Sequence, residues 1–332
     1  MSVHISTKEI KTKRTNYAYV GRRIGHDKPA SRYQEAIYDI QPTANFHYPP
    51  TWAKGKELYD VTNTSIVMKD WYSFTDPRQF YYSAYVMARA KQQESMDNNF
   101  KMAEKHNMIL SLPEELKASI KKILTPFRHV EYGANMNNQD ICDRSYGASI
   151  ATIASLNGFD RIGTSQYISK IILLIDENES VGLDQGKTDW LDAPMWQELR
   201  HAMEDIFVLD DWFEIMVAQN IVMDGLIYPL IFDQYVQEVS AKGATALTLL
   251  TQFMSDWYVE TTRWTNELIK VVAKESDANN ELLSSWVIKW TERLNNAVLP
   301  IAHEAFAVGG EDKLEEAKQA LLARLVKQGL KI

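Results

Sequence analysis

Residues Ala244–Ala273 read ATALTLLTQFMSDWYVETTRWTNELIKVVA, a stretch with neither Gly nor Pro. A run of that length without a breaker predicts a long helix, and almost no segment of the chain shows the period of two expected of strands. The stretch before it, Leu209–Val239, is strongly apolar and is interrupted only by Gly225 and Pro229, where a kink or local unwinding is expected. Downstream, helices are expected at about 278–307 and 312–328, divided by Gly309-Gly310. Upstream, Asp76-Pro77 has the form of a helix start, an acidic N-cap with Pro at the first helical position. The run Gln79–Asn99 that follows brings Phe80, Ala84, Met87 and Ala88 onto one face. Pro113 marks another start. Pro126 marks a third, opening a helix through His129, Ala134 and Ile141 towards Leu156, with Asn157-Gly158 as its stop. Asp176–Lys187, rich in Gly, Asp and Asn, reads as a turn region, after which Pro194 sits just inside a cap near Asp192. The fold class is therefore all-α, with one helical domain over residues 76–332 and no internal repeat or Gly-rich phosphate loop.

Residues 1–75 differ in character. Up to about residue 65 they hold no sustained helical period and include Gly21, Gly25, Pro29, Pro42, Pro49, Pro50 and Gly55, so an irregular arm is expected. Its basic residues Lys8, Lys11, Lys13, Arg14, Arg22 and Arg23 stand out in an acidic chain. Its rings, Tyr17, Tyr19, Tyr33, Phe46 and Trp52, would be costly to leave in water, and this favours an arm that packs across another subunit.

Composition narrows the function. With 332 residues the chain can bury a large core, while its apolar runs fall short of the roughly 18 residues that suggest a membrane span. A net charge of −8 argues against a broad nucleic-acid surface, which relies on accumulated Lys and Arg. Met1–Asn16 has no apolar stretch resembling a signal peptide, and a single cysteine, Cys142, allows no internal disulfide; both fit a reducing cytoplasm. The 9 Trp, 16 Tyr and 11 Phe favour assembly weakly, because large rings are enriched in cores and interfaces alike.

Helical bundles that hold two metal ions draw a Glu from each of two helices and a Glu-x-x-His from each of two others, since residues i and i+3 project from one helix face. Here one Glu-x-x-His exists, Glu198 with His201, in a highly charged segment that reads as a surface helix rather than a ligand pair. Cys142 reads as a packed thiol, and His303-Glu304 is too sparse for a site. Trp286 with Trp290, and Trp257 with Trp264, recur at helical spacing as core or interface stripes.

The segments Arg32-Tyr-Gln-Glu-Ala, Phe46-His-Tyr, Asp76-Pro-Arg-Gln-Phe-Tyr-Tyr-Ser-Ala-Tyr, Glu131-Tyr-Gly-Ala and Ser255-Asp-Trp-Tyr resemble the β subunit, the small hydroxylase subunit, of bacterial multicomponent monooxygenases, most closely that of phenol hydroxylase. The resemblance covers nearly the whole chain. It implies a ferritin-like bundle that holds no metal, paired with a catalytic α subunit of the same fold that carries the di-iron centre. It further implies a γ subunit, a dimer of αβγ trimers, a reductase that passes electrons from NADH through FAD and an iron–sulfur cluster, and a small regulatory protein. On this pattern Glu131 matches a lone glutamate ligand, Arg161 and Thr164 stand where the first Glu-x-x-His should be, Asp224 matches the second lone glutamate, and Trp257 and Glu260 occupy the second Glu-x-x-His. Arg161 would put a fixed charge where a dication sits, Trp257 would fill its volume, and Arg161 would compensate Glu131 and Asp224. The rival reading is a self-sufficient metal oxidase or reductase small subunit built around Glu131, Glu198, His201 and Asp224. A third is a metal-free binding protein unrelated to any hydroxylase.

Overall fold

The computed structural model describes residues 16, 18–40, 55, 57 and 59–332. The expectations for Lys8, Lys11, Lys13, Arg14, Tyr17, Phe46 and Trp52 lie outside them. All described regular structure is helical.

The amino-terminal part is less irregular than its composition suggests. Two short helices, α1 (Ala18–Ile24) and α2 (Arg32–Ile37), precede single 3₁₀ turns at Val61–Asn63 and Trp71–Ser73. Ser31 caps α2 through a reciprocal capping box with Gln34, which makes six residues sufficient for a helix. Arg22 and Arg23 both pair with Asp39, and Arg23 also with Asp70, so these cations tie the segment to its own chain. Tyr33 is buried against Ile37 and Ala148, and its hydroxyl accepts the Asp76 amide at 3.1 Å.

Asp76-Pro77 does not start a helix. The Asp76 carboxylate instead accepts the Arg78 amide at 2.9 Å, closing a turn that leaves Gln79 at φ 53°, and α3 begins later, spanning Tyr82–Lys105. Met87 lies on its exposed side, and the buried stripe is Met96, Phe100 and Ala103. α4 (Glu114–Leu124) follows Pro113 as expected. α5 (Phe127–Arg144) follows Pro126 but stops well short of Leu156, because Gly147, at φ 100°, turns the chain at a conformation that a side chain would resist. α6 (Ala148–Ile175) then runs straight through Asn157-Gly158, which therefore act as interior residues of a helix rather than a stop. The supposed turn at 176–187 is largely helical. α7 (Val181–Asp192) buries Gly182 and Gly186 where it packs closely on its neighbours, and α8 (Pro194–Phe207) starts on Pro194.

The apolar stretch forms one central rod, Trp212–Ala241. It consists of α9 (Trp212–Met216), a π-helical segment Val217–Met223, α10 (Asp224–Ile227), a second π-helical segment Tyr228–Tyr235 that contains Pro229, and α11 (Val236–Ala241). Its mean hydropathy of 1.6 would suit a bilayer, but 94% of that window is buried in this chain's own interior, so it is a core helix. α12 (Thr245–Leu250) and α13 (Gln252–Glu275) cover the stretch expected to be one helix, with a break at Thr251. α14 (Asp277–Ala305), with Pro300 inside it, and α15 (Gly310–Lys327) complete the chain.

α5 and α6 form an antiparallel pair, and with the rod and α13 they enclose the centre of the bundle. α3 lies over α6 and α13, α14 and α15 cover the rod's other sides, and α8 packs against α5, α7 and α14. One continuous apolar cluster runs through all of these helices. At the α14–α15 corner, a Cβ on Gly310 would stand 2.3 Å from the Ala302 carbonyl oxygen, so the two backbones meet there. Gly310→Val should lower stability by about 1–3 kcal/mol, as overpacking does, read as a lower midpoint in urea unfolding with an unchanged slope.

Candidate functional site

The centre of the bundle is polar. Arg161 projects from α6 into the space between α5 and the rod and is almost wholly buried, as are Glu131 and Asp224. Its Nη1 donates to Glu131 Oε2 at 3.3 Å and to Tyr228 Oη at 3.3 Å. Its Nη2 donates to Asn220 Oδ1 at 3.2 Å and forms a close ion pair with Asp224 Oδ2. Tyr228 Oη donates to the second Glu131 oxygen at 3.0 Å, and Gln219 Nε2 to the second Asp224 oxygen at 3.3 Å. The indole of Trp257, from α13, faces the guanidinium, with Cζ 4.5 Å from the ring centroid. Thr164, one turn along α6, is fully buried, and its hydroxyl has no hydrogen-bond partner among the described residues.

These contacts set the charge state. Burial pushes the Glu131 carboxyl up, to about 7, against the pull of Arg161. Burial also raises Asp224, again with Arg161 opposing. Burial disfavours the Arg161 cation, but Asp224 and Glu131 outweigh that and hold it protonated beyond its ordinary range. One guanidinium facing two carboxylates leaves one negative charge in excess, and a proton on Glu131 removes it.

A sheath of buried amides extends this centre. Asn157 donates to Asn138 and Asn220, both at 3.0 Å, Asn138 donates to Asn220 at 3.1 Å, and Asn137 donates to Gln219 at 2.9 Å. Of these amides only Asn157 is singled out by the sequence, and as half of a helix stop rather than as a buried partner. The available signal was Gln219, Asn220 and Asp224 inside the apolar Leu209–Val239 stretch, since polar groups in such a run must find partners.

Glu260 does not share the centre with Trp257. It faces α3 and the turn before it, where its Oε1 accepts from Arg78 Nη1 at 3.1 Å and from Arg89 Nη2 of α3 at 2.8 Å. Arg89 also binds Asp160 through two bonds of 2.7 Å, and Arg78 pairs with Asp76 at 3.1 Å. Burial alone would raise Glu260, yet Arg89 and Arg78 bring it below its ordinary value. Trp257 joins the two networks, because its Nε1 donates to Asp160 Oδ2 at 2.9 Å while its ring covers Arg161.

The remaining candidates are dispersed. Glu198 and His201 lie on the exposed face of α8, and Glu198 pairs with Arg293 at 3.0 Å. Cys142 packs against the core with its thiol pushed up by burial. His303 is exposed and Glu304 pairs with Lys122. Trp257, Trp264, Trp286 and Trp290 are all buried in the core.

Replacing Arg161 with Met leaves two buried carboxylates without their cation and should cost about 3–5 kcal/mol, read by urea unfolding at neutral pH. The folded chain holds the Glu131 proton up to about pH 7, whereas unfolding returns the group to its ordinary value near 4.5. The folded state therefore binds more protons in that window, and the contribution of this group is greatest below it and is lost as pH rises through it. Glu131→Gln should abolish this part of the pH slope while leaving the Arg161–Asp224 pair intact, as measured by unfolding free energy between pH 5 and pH 8.

Residues 49–276 match the family model described as Methane/Phenol/Alkene Hydroxylase. The chain is 46% identical over 331 residues to the phenol 2-monooxygenase oxygenase component DmpL of Pseudomonas sp. strain CF600, covering 100% of this chain and 99% of the relative. It superposes on a chain of xenon-pressurized phenol hydroxylase from Pseudomonas sp. OX1 with a TM-score of 0.93, 44% identity and 99% of each chain covered. A chain of toluene 4-monooxygenase, at 19% identity and a TM-score of 0.75 over 96% of this chain and all of the other, shares the fold. A bundle of this shape, matched over its whole length, belongs to the methane/phenol/alkene hydroxylase family, and the chain is one of its hydroxylase subunits.

Proposed function

We propose that this chain is the non-catalytic β subunit of a phenol-type aromatic monooxygenase, and that its task is to hold a di-iron α subunit in its working arrangement. The observation that carries this reading is the occupation of the bundle centre by Arg161 and Trp257. A dimetal bundle needs two lone glutamates and two Glu-x-x-His pairs. At the six corresponding positions this chain has Glu131, Arg161, Thr164, Asp224, Trp257 and Glu260, with no imidazole among them. We read these six as remnants of ligand positions, and the donor set does not fit a pair of irons. The rival set is not assembled either, since Glu198 and His201 sit on the outside of α8.

The substrate class follows two relatives, at 46% and 39% identity, that are phenol 2-monooxygenase components, so the assembled enzyme would convert phenol to catechol with O₂ and NADH. In this reading the iron belongs to α, FAD and an iron–sulfur cluster to a reductase, and the complex is a dimer of αβγ trimers in the cytoplasm with a regulatory protein docking on it. Co-expression with the neighbouring reading frames tests the proposal. This chain should copurify with an iron-bearing subunit and carry no stoichiometric iron alone, and preparations lacking it should lose phenol turnover. An active, iron-loaded hydroxylase recovered without this chain would refute the scaffold role.

A further inference from the structure

The outward side of α3, α5 and α6 has the composition of an interior. Between residues 148 and 169, α6 carries two charged side chains, Asp160 and Arg161, and both are buried. Residues 132–139 of α5 have no charge, and in residues 82–90 of α3 the one charged side chain, Arg89, turns inward onto Asp160 and Glu260. In a chain of which 24% is charged, three neighbouring helices that met only water would carry charge on that side. The three stretches stand at one level of the bundle. On α6, Gly158 sits against Asn135 and Gln139 of α5, Asp160 bonds Tyr85 and Arg89 of α3, and Arg161 points to the centre, so Phe159 stands on the open side between the two flanking helices. It is 64% exposed, with Tyr132 (57%) and Met136 (45%) on α5 and Tyr82 (78%) and Val86 (42%) on α3. Five such side chains leave several hundred Å² of apolar surface in water, a large part of the about 800 Å² that each partner contributes to a standard interface.

Gly163, one turn along α6 from Phe159, points the same way independently. It lies in the middle of the helix, where glycine is a poor helix former, and a Cβ built on it would meet nothing within 4 Å. No neighbour within this chain requires the missing side chain, whereas a second backbone drawn close against α6 would require it. We propose that this face of α3, α5 and α6 is the seat of the iron-bearing subunit, an occupant that rests on the reading of this chain as its supporting partner. What covers Phe159 is then a helical face equally free of charge, because a charged group brought there would be desolvated without a counter-ion. Depletion of charge at the centre is the mark of a permanent interface, and the iron-bearing subunit is the permanent neighbour that the proposed function supplies.

The test uses the full chain, tagged and co-expressed with the neighbouring reading frames, as wild type, Phe159→Glu and Gly163→Leu. Val208→Glu and Val308→Glu serve as controls, since both side chains are exposed but lie outside this face. Recovery of the iron-bearing subunit on the tag should fall about tenfold or more for Phe159→Glu and Gly163→Leu, with their Tm as free chains unchanged, and should not fall for the controls. A readout on the wild type covers the case in which a variant does not fold. Oxidation of Met136 by peroxide, followed by mass spectrometry, should be suppressed in the complex relative to the free chain, while Met102, at the far end of α3 and 41% exposed, reacts equally in both. Undiminished recovery by folded Phe159→Glu and Gly163→Leu, or Met136 oxidised as fast in the complex as in the free chain, would overturn the assignment of this face while leaving the subunit reading in place. A free wild-type chain that forms dimers broken by the same two substitutions would overturn it too, by seating a second copy there. A wild-type chain that recovers no iron-bearing subunit would instead sink the subunit reading, and the occupant with it.

Discussion

Two carboxylates in the middle of a protein this size cannot both remain charged without a cation, and the rest of the bundle is arranged around the one supplied by Arg161. An isolated buried charge costs several kcal/mol, and an ion pair offsets that only when geometry and hydrogen bonds are nearly complete. Here the partners come from three different elements: α5 gives Glu131, α6 gives Arg161, and the rod gives Asn220, Asp224 and Tyr228. Sliding any of these by one residue would leave a charge in apolar surroundings. What the ionic centre contributes is therefore register, more than net stability. The amides of Asn138, Asn157 and Asn220 extend the same requirement along the helices.

The rod shows how local backbone geometry serves that constraint. Asn220, Asp224 and Tyr228 are spaced four apart, and in a regular α-helix each such step drifts by about 40° around the axis. Two steps would carry Tyr228 off the face that Asn220 occupies. The π-helical segments at Val217–Met223 and Tyr228–Tyr235 have wider turns, and all three side chains meet the same guanidinium and its partners. Pro229 falls inside the second segment, where the helix is already irregular, so the rod continues through a residue that would normally break it.

Much of this was legible in the sequence, and the failures have identifiable causes. The breaker-free stretch at residues 255–273 announced α13, and the strongly apolar run announced the rod despite Gly225 and Pro229. Boundaries went astray where a residue's usual role was overridden by its tertiary partners. Asn157-Gly158 resembles a helix stop, but the Asn157 amide is taken up by Asn138 and Asn220 and the helix runs on. The true boundary was Gly147, whose positive φ no pattern of polarity reveals. Asp76-Pro77 resembles an N-cap, but its carboxylate is committed to Arg78. Family pattern brought Glu131, Arg161 and Asp224 into view, and their mutual contacts required coordinates because they lie far apart in sequence. Glu260 shows the limit of the i, i+3 argument. Three residues along a helix is a rotation of about 60° short of a full turn, enough for Trp257 to face the centre while Glu260 faces α3.

That divergence gives α3 its place. Asp160 and Arg161 are neighbours on α6, yet one faces Arg89 of α3 and the other faces the rod, so a single helix carries two ionic networks on adjacent faces. Trp257 closes the circuit from α13, with its N–H on Asp160 and its ring on Arg161. The outer network is the better placed to sense the surface, since Glu260 and Arg89 are partly exposed whereas Arg161 is not. Phe159 and Val259, the residues beside Asp160 and Glu260, point into solvent as large apolar side chains. Displacing α3 would break the Arg89 bonds to Asp160 and Glu260 as well as the apolar packing of Met96 and Phe100, and charged groups that share a partner in a low-dielectric interior are costly to separate. The shared partners thus tie α3, α6, α13 and the rod to one another through ionic as well as apolar contacts.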